Sequence, residues 1–223
     1  MMITIDKSIL QILPEFSVIA LVMDVIVKDS SEIQGLITQY EQKLAEEYSL
    51  EEVLNIPLIK EARDAYKKLG KDPSRYRLAV ESLFRRIVKG NTLYLINNVV
   101  DAGNVLSLET KRSVAVLDYD KIKGDVLIRL GKSTDEYYGI GRGLLNVTDI
   151  PVYEDEQGPF GSTTSDTLRT SITESTTTIL LFIICFSDTF IEQNKQAAIN
   201  LFTKYAGGNN IRELDVKRTS IEE

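Results

Sequence analysis

Ile96-Asn-Asn-Val-Val-Asp-Ala-Gly-Asn-Val-Leu-Ser-Leu108 places Asn97, Asn98, Asp101 and Asn104 among apolar residues. On a helix, Asp101 and Asn104 lie three apart and share a face. Amides and carboxylates in apolar surroundings cost free energy unless they are hydrogen-bonded, so the cluster is either an internal network or a ligand site. Immediately upstream, Lys71–Asn91 carries Lys71, Arg75, Arg77, Arg85, Arg86 and Lys89 against Asp72 and Glu81. That is a local charge of +4 in a chain of net charge −7, which leaves −11 on the remainder. Val80, Leu83, Phe84, Ile87 and Val88 give a helix over Leu78–Lys89 its buried side, so the arginines lie beside or opposite it. They form either a solvated helix face or a phosphate-contacting one, since arginine forks suit phosphate oxygens.

Further outward, the amino-terminal third reads β–α–α. Phe16–Val27 is β-branched and mostly apolar, as a strand buried on both faces would be. Asp29-Ser-Ser31 supplies cap chemistry for a helix to Tyr48, and Pro57 precedes a second helix, Leu58–Leu69, that stops at Gly70. After Leu93 the signals are mostly β: Ser113–Asp118, Asp125–Leu130, Ile150–Tyr153 entering a glycine turn at Gly158-Pro-Phe-Gly161, a hydroxyl-rich stretch Ser162–Thr178, and an apolar strand Ile179–Phe186. A last helix covers about Asp188–Tyr205. The expected architecture is α+β, with mixed, mostly antiparallel sheets and flanking helices. Residues 1–70 are read as an elaboration packed on a main domain at 71–210, and 211–223 as a loose polar tail.

Composition narrows the chemistry. The 223 residues contain no histidine, no tryptophan and one cysteine, Cys185. An imidazole base, a Ser-His-Asp or Cys-His pair, zinc held by histidine or paired cysteines, and an intrachain disulfide are all excluded. Neither a metal nor a cofactor is expected. The longest apolar stretches, Phe16–Val27 and Ile179–Phe186, fall short of the ~18–20 residues that span a bilayer. With no signal-like segment at Met1–Leu10, the expected location is the cytoplasm. Cys185, inside Ile183-Ile-Cys-Phe186, reads as a buried core thiol.

Asn98-Val-Val-Asp101 followed by Asn104 resembles the start of the editing, tRNA-binding module in the beta subunit of phenylalanyl-tRNA synthetase. Later pieces follow in the same order: Leu117–Gly124, Val126-Leu-Ile-Arg129, Gly139-Ile-Gly141, Gly158–Gly161, and Thr173-Glu-Ser-Thr176 before an apolar strand. The likeness covers about Ser74–Phe186. It implies a tRNA-binding module related to a proofreading hydrolase that removes mischarged tyrosine by cleaving the aminoacyl ester, with an aminoacyl-tRNA or a small amino-acid-like molecule as ligand. Carried over by position, Asn104 is the pocket asparagine, Gly158 and Gly161 line the amino-acid pocket, and Asn98 belongs to the motif. Three positions depart: Ala115 stands where the editing histidine belongs, Phe182 where the glutamate belongs, and Gly103 where a pocket threonine belongs.

An aminoacyl ester is labile enough that a positioned water and a polarised carbonyl can suffice. Asp155, ahead of the glycine turn, and Asp101 are the candidate catalytic carboxylates. Asp118 and Asp120 read better as turn residues, with Lys121 and Arg169 as cationic helpers. Arg75, Arg77, Arg85, Arg86 and Lys89 are the expected RNA contacts. A non-catalytic domain that binds an amino acid or another small ligand in the same pocket is the alternative reading.

Overall fold

The two apolar runs pair with each other. The structure, a computed structural model, describes residues 1–220. In chain order its elements are β1 (Ile3–Ile5), α1 (Lys7–Leu10), β2 (Ser17–Asp24), α2 (Gln34–Glu47), α3 (Leu50–Val53), α4 (Pro57–Lys68), α5 (Ala79–Val88) and α6 (Asn98–Thr110). Then come β3 (Val114–Asp118), β4 (Val126–Leu130), β5 (Tyr138–Gly139), β6 (Gly143–Leu144), β7 (Pro151–Asp155), β8 (Gly158–Ser162), β9 (Thr178–Cys185), α7 (Ile191–Tyr205), β10 (Asn209–Glu213) and β11 (Val216–Arg218). β2 and β9 run antiparallel from Ser17 opposite Cys185 to Asp24 opposite Thr178.

That pair is the centre of a four-stranded sheet ordered β10-β2-β9-β3, and a second sheet is ordered β11-β1-β4-β7-β8. Because side chains alternate along a strand, each face of the β2–β9 pair buries a different set. Ile19, Leu21, Met23, Leu181 and Ile183 face the helices, packing with Ile59, Phe84, Leu106 and Phe202. Val18, Ala20, Val22, Phe182 and Ile184 face the second sheet and meet Ile5, Ile128, Tyr153 and Phe160. Helices, four-stranded sheet and five-stranded sheet therefore form three layers of an α+β fold, and an uninterrupted apolar run is what a middle layer needs.

Two expected boundaries change. Residues 1–70 do more than pack on a main domain at 71–210, since β2 lies between β10 and β9, and β1 between β11 and β4. The tail is not loose as far as residue 220: β10 pairs antiparallel with β2, β11 runs parallel to β1, and the Thr219 N–H donates to the Ile5 carbonyl at 3.0 Å. Both are edge strands held through backbone bonds with largely exposed side chains, which is why their composition is polar. Residues 221–223 of that expected tail lie outside the described residues. Among the described residues, no helix is long and apolar enough to cross a membrane.

α6 and β3 position the site. Asn97 caps α6, its side chain accepting from the Val99 and Val100 amides at 3.1 and 2.9 Å. Gly103 lets the helix lie close on β3: a Cβ there would stand 2.5 Å from Val116 Cγ2. β3 ends its sheet, with Ala115 opposite Phe182 and Leu117 opposite Leu180. The Ile184 amide donates to Ser113, so every second residue, Ala115 and Leu117 included, bonds into the ladder. The backbone groups of Val114 and Val116 point out along the open edge.

Candidate functional site

A groove runs along that open edge, in two chambers. The first, about 360 Å³, is walled mainly by apolar side chains, with Val100 and Gly103 of α6 and Val114 and Val116 of β3 on one side and Ile140, Leu168 and Ile172 on the other. The second, about 540 Å³, is lined by Ser82 and Arg86 of α5, Arg142, Ser162, Thr164 and Ser165. Asn104, Val114, Ile140 and Asp166 line both chambers, so they meet there. Exposed apolar residues rim the opening: Tyr94, Ile96, Ile140 and Leu168. A third recess of about 270 Å³ adjoins the polar chamber, sharing Ser82 and Arg86 with it and adding Arg77, Arg85, Lys89 and Asn91.

Sequence-derived candidates divide sharply between this groove and the framework. Asn104 and Gly103 line the apolar chamber, and Ala115 lines the polar one. Phe182, opposite Ala115, is fully buried and meets Tyr153 edge-on at 5.1 Å between ring centroids. Ala115 and Phe182, the positions where the resemblance leads one to expect a histidine and a glutamate, are thus cross-strand neighbours, filled by a methyl and a phenyl group. Of the basic set, Arg77, Arg85, Arg86 and Lys89 share one recess, while Arg75 stands apart over the Tyr76 ring at 5.7 Å. Arg86 is held in place: its Nε donates to the Thr92 carbonyl at 2.6 Å and its guanidinium lies 4.0 Å from the Tyr94 ring centroid. Arg85 approaches Glu81 at 3.9 Å.

Asn98, Asp101 and Asp155 belong to the framework, correcting their expected place at the pocket. Asn98 accepts from the Lys28 amide at 2.7 Å and donates to the Ile26 and Tyr205 carbonyls, both at 2.9 Å, tying α6 to the exit of β2 and the end of α7. Asp101 is sealed, accepting from the Ser30 hydroxyl and, at 3.1 Å, the Ile96 amide. Burial raises its pKa against those two bonds. Of the two readings left open for Asn98 and Asp101, the internal network is what the geometry shows. Asp155 makes a two-pronged pair with Arg169 at 2.7 and 3.0 Å and accepts the Lys123 and Gln157 amides at 2.8 and 2.9 Å. Burial works to raise its pKa, but the guanidinium and the two amides outweigh it and hold the carboxyl below its ordinary value. All its strong acceptor positions are taken, and it lines neither chamber.

The glycine pair is also not a pocket-lining turn. Gly158 closes the two-residue β7–β8 hairpin at φ +108° and Gly161 lies within β8. Gly161 acts from behind the wall: a Cβ there would stand 2.5 Å from Tyr153 Cδ2 and 2.8 Å from Asp166 Oδ1. Asp118 likewise serves the fold, accepting from the Thr176 hydroxyl at 2.7 Å and the Asp120 amide at 3.1 Å.

Asp166 was not among the candidates, and it is the acidic side chain that lines both chambers. Its Oδ1 is buried with no hydrogen-bond partner, as is Oγ1 of Thr170, a fully buried residue lining the apolar chamber. Burial pushes the Asp166 carboxyl up to about 7, only partly offset by the Ser162 backbone. Within the sequence, Asp166 is one acid in the hydroxyl-rich run Thr163-Thr-Ser-Asp166, and only the fold of the Ser162–Ile172 segment over β3 turns it inward. Among the described residues, no group of three or more Cys, Asp or Glu side chains is gathered where a metal could be held.

The family model of the B3/4 domain matches residues 61–217. The chain belongs to the B3/4-domain family. It is a relative of the B3/B4 module of the phenylalanyl-tRNA synthetase beta subunit. Its fold is similar to the crystal structure of an N-terminal fragment of that subunit from Pyrococcus horikoshii, with a TM-score of 0.54 at 11% identity. The likeness covers 98% of this chain and 52% of that one, so the B3/4 chain spans about half the length of its structural relative. Residues 1–60, ahead of the matched B3/4 segment, therefore fall largely within the shared fold. Comparison with curated proteins gives no sequence match.

Proposed function

We propose that this B3/4 domain binds the acceptor end of an aminoacyl-tRNA and cleaves its ester in trans, as a proofreading module would. The observation that carries the reading is the continuity of three recesses of different chemistry. The basic recess at Arg77, Arg85, Arg86 and Lys89 suits backbone phosphates; the polar chamber, with Arg142 and its hydroxyls, suits a terminal nucleoside; the apolar chamber suits an amino-acid side chain. Asn104 lines both chambers at their junction, and its amide would hydrogen-bond the ester or the amino acid's polar groups. Arg86 and Ser82 join phosphate recess to nucleoside chamber, and Asn104 and Asp166 join nucleoside chamber to side-chain chamber. The chambers fall within the size range of small-molecule sites.

A second reading, a non-catalytic domain for an amino acid or similar small ligand, is favoured by the apolar Ala115–Phe182 pair. One experiment separates the two. The protein is incubated with a panel of correctly charged and mischarged aminoacyl-tRNAs, and release of the amino acid is followed above background. Release that falls in Asn104→Ala supports the hydrolase. Binding of a free amino acid with no release from any tRNA, and no tRNA binding at low salt, supports the small-ligand domain.

A further inference from the structure

Hydrolysis of an ester is accelerated by a group that takes a proton from water, and the groove offers few. Neither of its arginines offers an acceptor, and its serines and threonines are far too weakly acidic or basic to titrate near neutrality. Tyr153, which lines the polar chamber, is driven well above its ordinary value by burial and stays neutral. The carboxylates singled out from the sequence are engaged elsewhere: Asp155 with Arg169 and two amides, Asp118 with Thr176 and the Asp120 amide, Asp101 with Ser30 and the Ile96 amide. Asp166 differs from all three in that its Oδ1 is sealed and unpartnered while the residue lines both chambers at their junction.

We propose, resting on the hydrolytic reading above, that Asp166 is the general base of this groove, replacing the histidine that the sequence lacks. The Asp166 carboxylate accepts a proton from a water molecule as the water oxygen bonds to the ester carbonyl carbon. The tetrahedral intermediate then collapses with cleavage of the bond between that carbon and the ribose oxygen. The proton held by Asp166 passes to the departing ribose oxygen, giving a free amino acid, an intact tRNA 3′ end and the regenerated carboxylate. No other reactant is consumed.

Two further features fit the role. A general base works best with a pKa near the working pH, and burial brings this carboxyl to about 7. Its titratable neighbours are Tyr153 on β7, Tyr137, which donates to the Ser165 carbonyl, and Tyr66 on α4, which bonds Thr163 and Thr164. All three are raised above their ordinary values and neutral near pH 7. The cations lining the same chamber, Arg86 and Arg142, are occupied by the Thr92 carbonyl and by the Ser82 hydroxyl at 3.4 Å, respectively. Gly161 supplies the space, because any side chain there would meet Oδ1.

The test is single-turnover deacylation by the full chain between pH 6 and pH 8.5, background hydrolysis subtracted, using the aminoacyl-tRNA the wild type cleaves fastest. Binding is measured separately with an amide-linked, non-hydrolysable aminoacyl-tRNA. Wild type is expected to rise with pH to a plateau, with a midpoint near 7. Asp166→Asn should lose a factor of about 10² to 10⁴ in rate while binding the analogue within about threefold of wild type. Asp166→Glu, which keeps the carboxyl, should recover part of the rate with a pH-dependent limb. Retention of the rate in Asp166→Asn overturns the assignment and leaves the hydrolytic reading standing. Parallel loss of analogue binding overturns it in favour of a ligand-anchoring carboxylate. A wild type that cleaves no aminoacyl-tRNA overturns both.

Discussion

An ionisable group held largely out of water leaves a signature in the stability of the protein, and Asp166 provides one that does not depend on knowing the substrate. Its carboxyl moves from 3.8 to about 7 because burial disfavours the anion. The sign follows from proton binding. Between those values the unfolded chain is ionised while the folded chain keeps the proton, so stability falls as pH rises through that interval. Below about pH 4 the penalty is absent, and above about pH 7 it is complete. At about 1.36 kcal/mol per pH unit the full penalty is about 4 kcal/mol, of which about 2–3 kcal/mol accumulates between pH 5 and pH 8. Asp166→Asn has nothing to titrate. Urea unfolding of both proteins at pH 5, 6, 7 and 8 cancels contributions from all other groups in the difference, and any constant effect of the amide drops out as well. The variant should gain about 2–3 kcal/mol relative to wild type from pH 5 to pH 8. A difference that stays flat within about 0.5 kcal/mol refutes the upward shift of this carboxyl on which the reasoning rests.

Other elements respond in their own ways. Arg129, only 5% exposed, bridges Asp135 at 2.8 Å and Glu154 at 2.7 Å, so Arg129→Met should leave two facing carboxylates and cost about 2–4 kcal/mol in urea unfolding. Asp155→Asn should weaken the clamp on Arg169 and cost about 1–3 kcal/mol, yet leave the pH midpoint of deacylation unmoved, because Asp155 holds the groove wall and takes no proton. For tRNA binding, Arg85→Ala and Arg86→Ala should each reduce the slope of log affinity against log salt by about one, measured by filter binding from low to physiological salt.

The parts of the fold visible in the sequence are those whose signal is local. Phe16–Val27 and Ile179–Phe186 are apolar without alternation and become the middle layer, while Pro57 marks the start of α4 by standing at its first position. β8 was hidden because Gly158-Pro-Phe-Gly161 reads as a turn. Only the positive φ at Gly158 belongs to the hairpin, and Pro159 is tolerated because β8 is an edge strand. β10 and β11 were hidden for a related reason, since edge strands held by backbone bonds need no apolar alternation.

At the site, the order of motifs led to Asn104, Gly103 and Ala115, but the roles of the carboxylates depended on partners far away in sequence. Asp155 finds Arg169 fourteen residues later and Asp101 finds Ser30 seventy-one residues earlier. Asp166 is distinguished by a buried oxygen, Oδ1, that has no partner. That property exists only after the Ser162–Ile172 segment has folded over β3, and no local pattern encodes it.

The central claim is that one groove takes the acceptor end of a charged tRNA, phosphates at α5 and aminoacyl group between α6 and β3. It is tested most directly by equilibrium binding of an amide-linked aminoacyl minihelix to wild type, Arg86→Ala and Asn104→Ala, with the uncharged minihelix as comparison. The account predicts that the aminoacyl group strengthens binding to wild type. It also predicts that Asn104→Ala removes that increment without affecting the uncharged RNA, and that Arg86→Ala weakens both RNAs alike. Equal binding of charged and uncharged RNA, or no RNA binding at low salt, contradicts it.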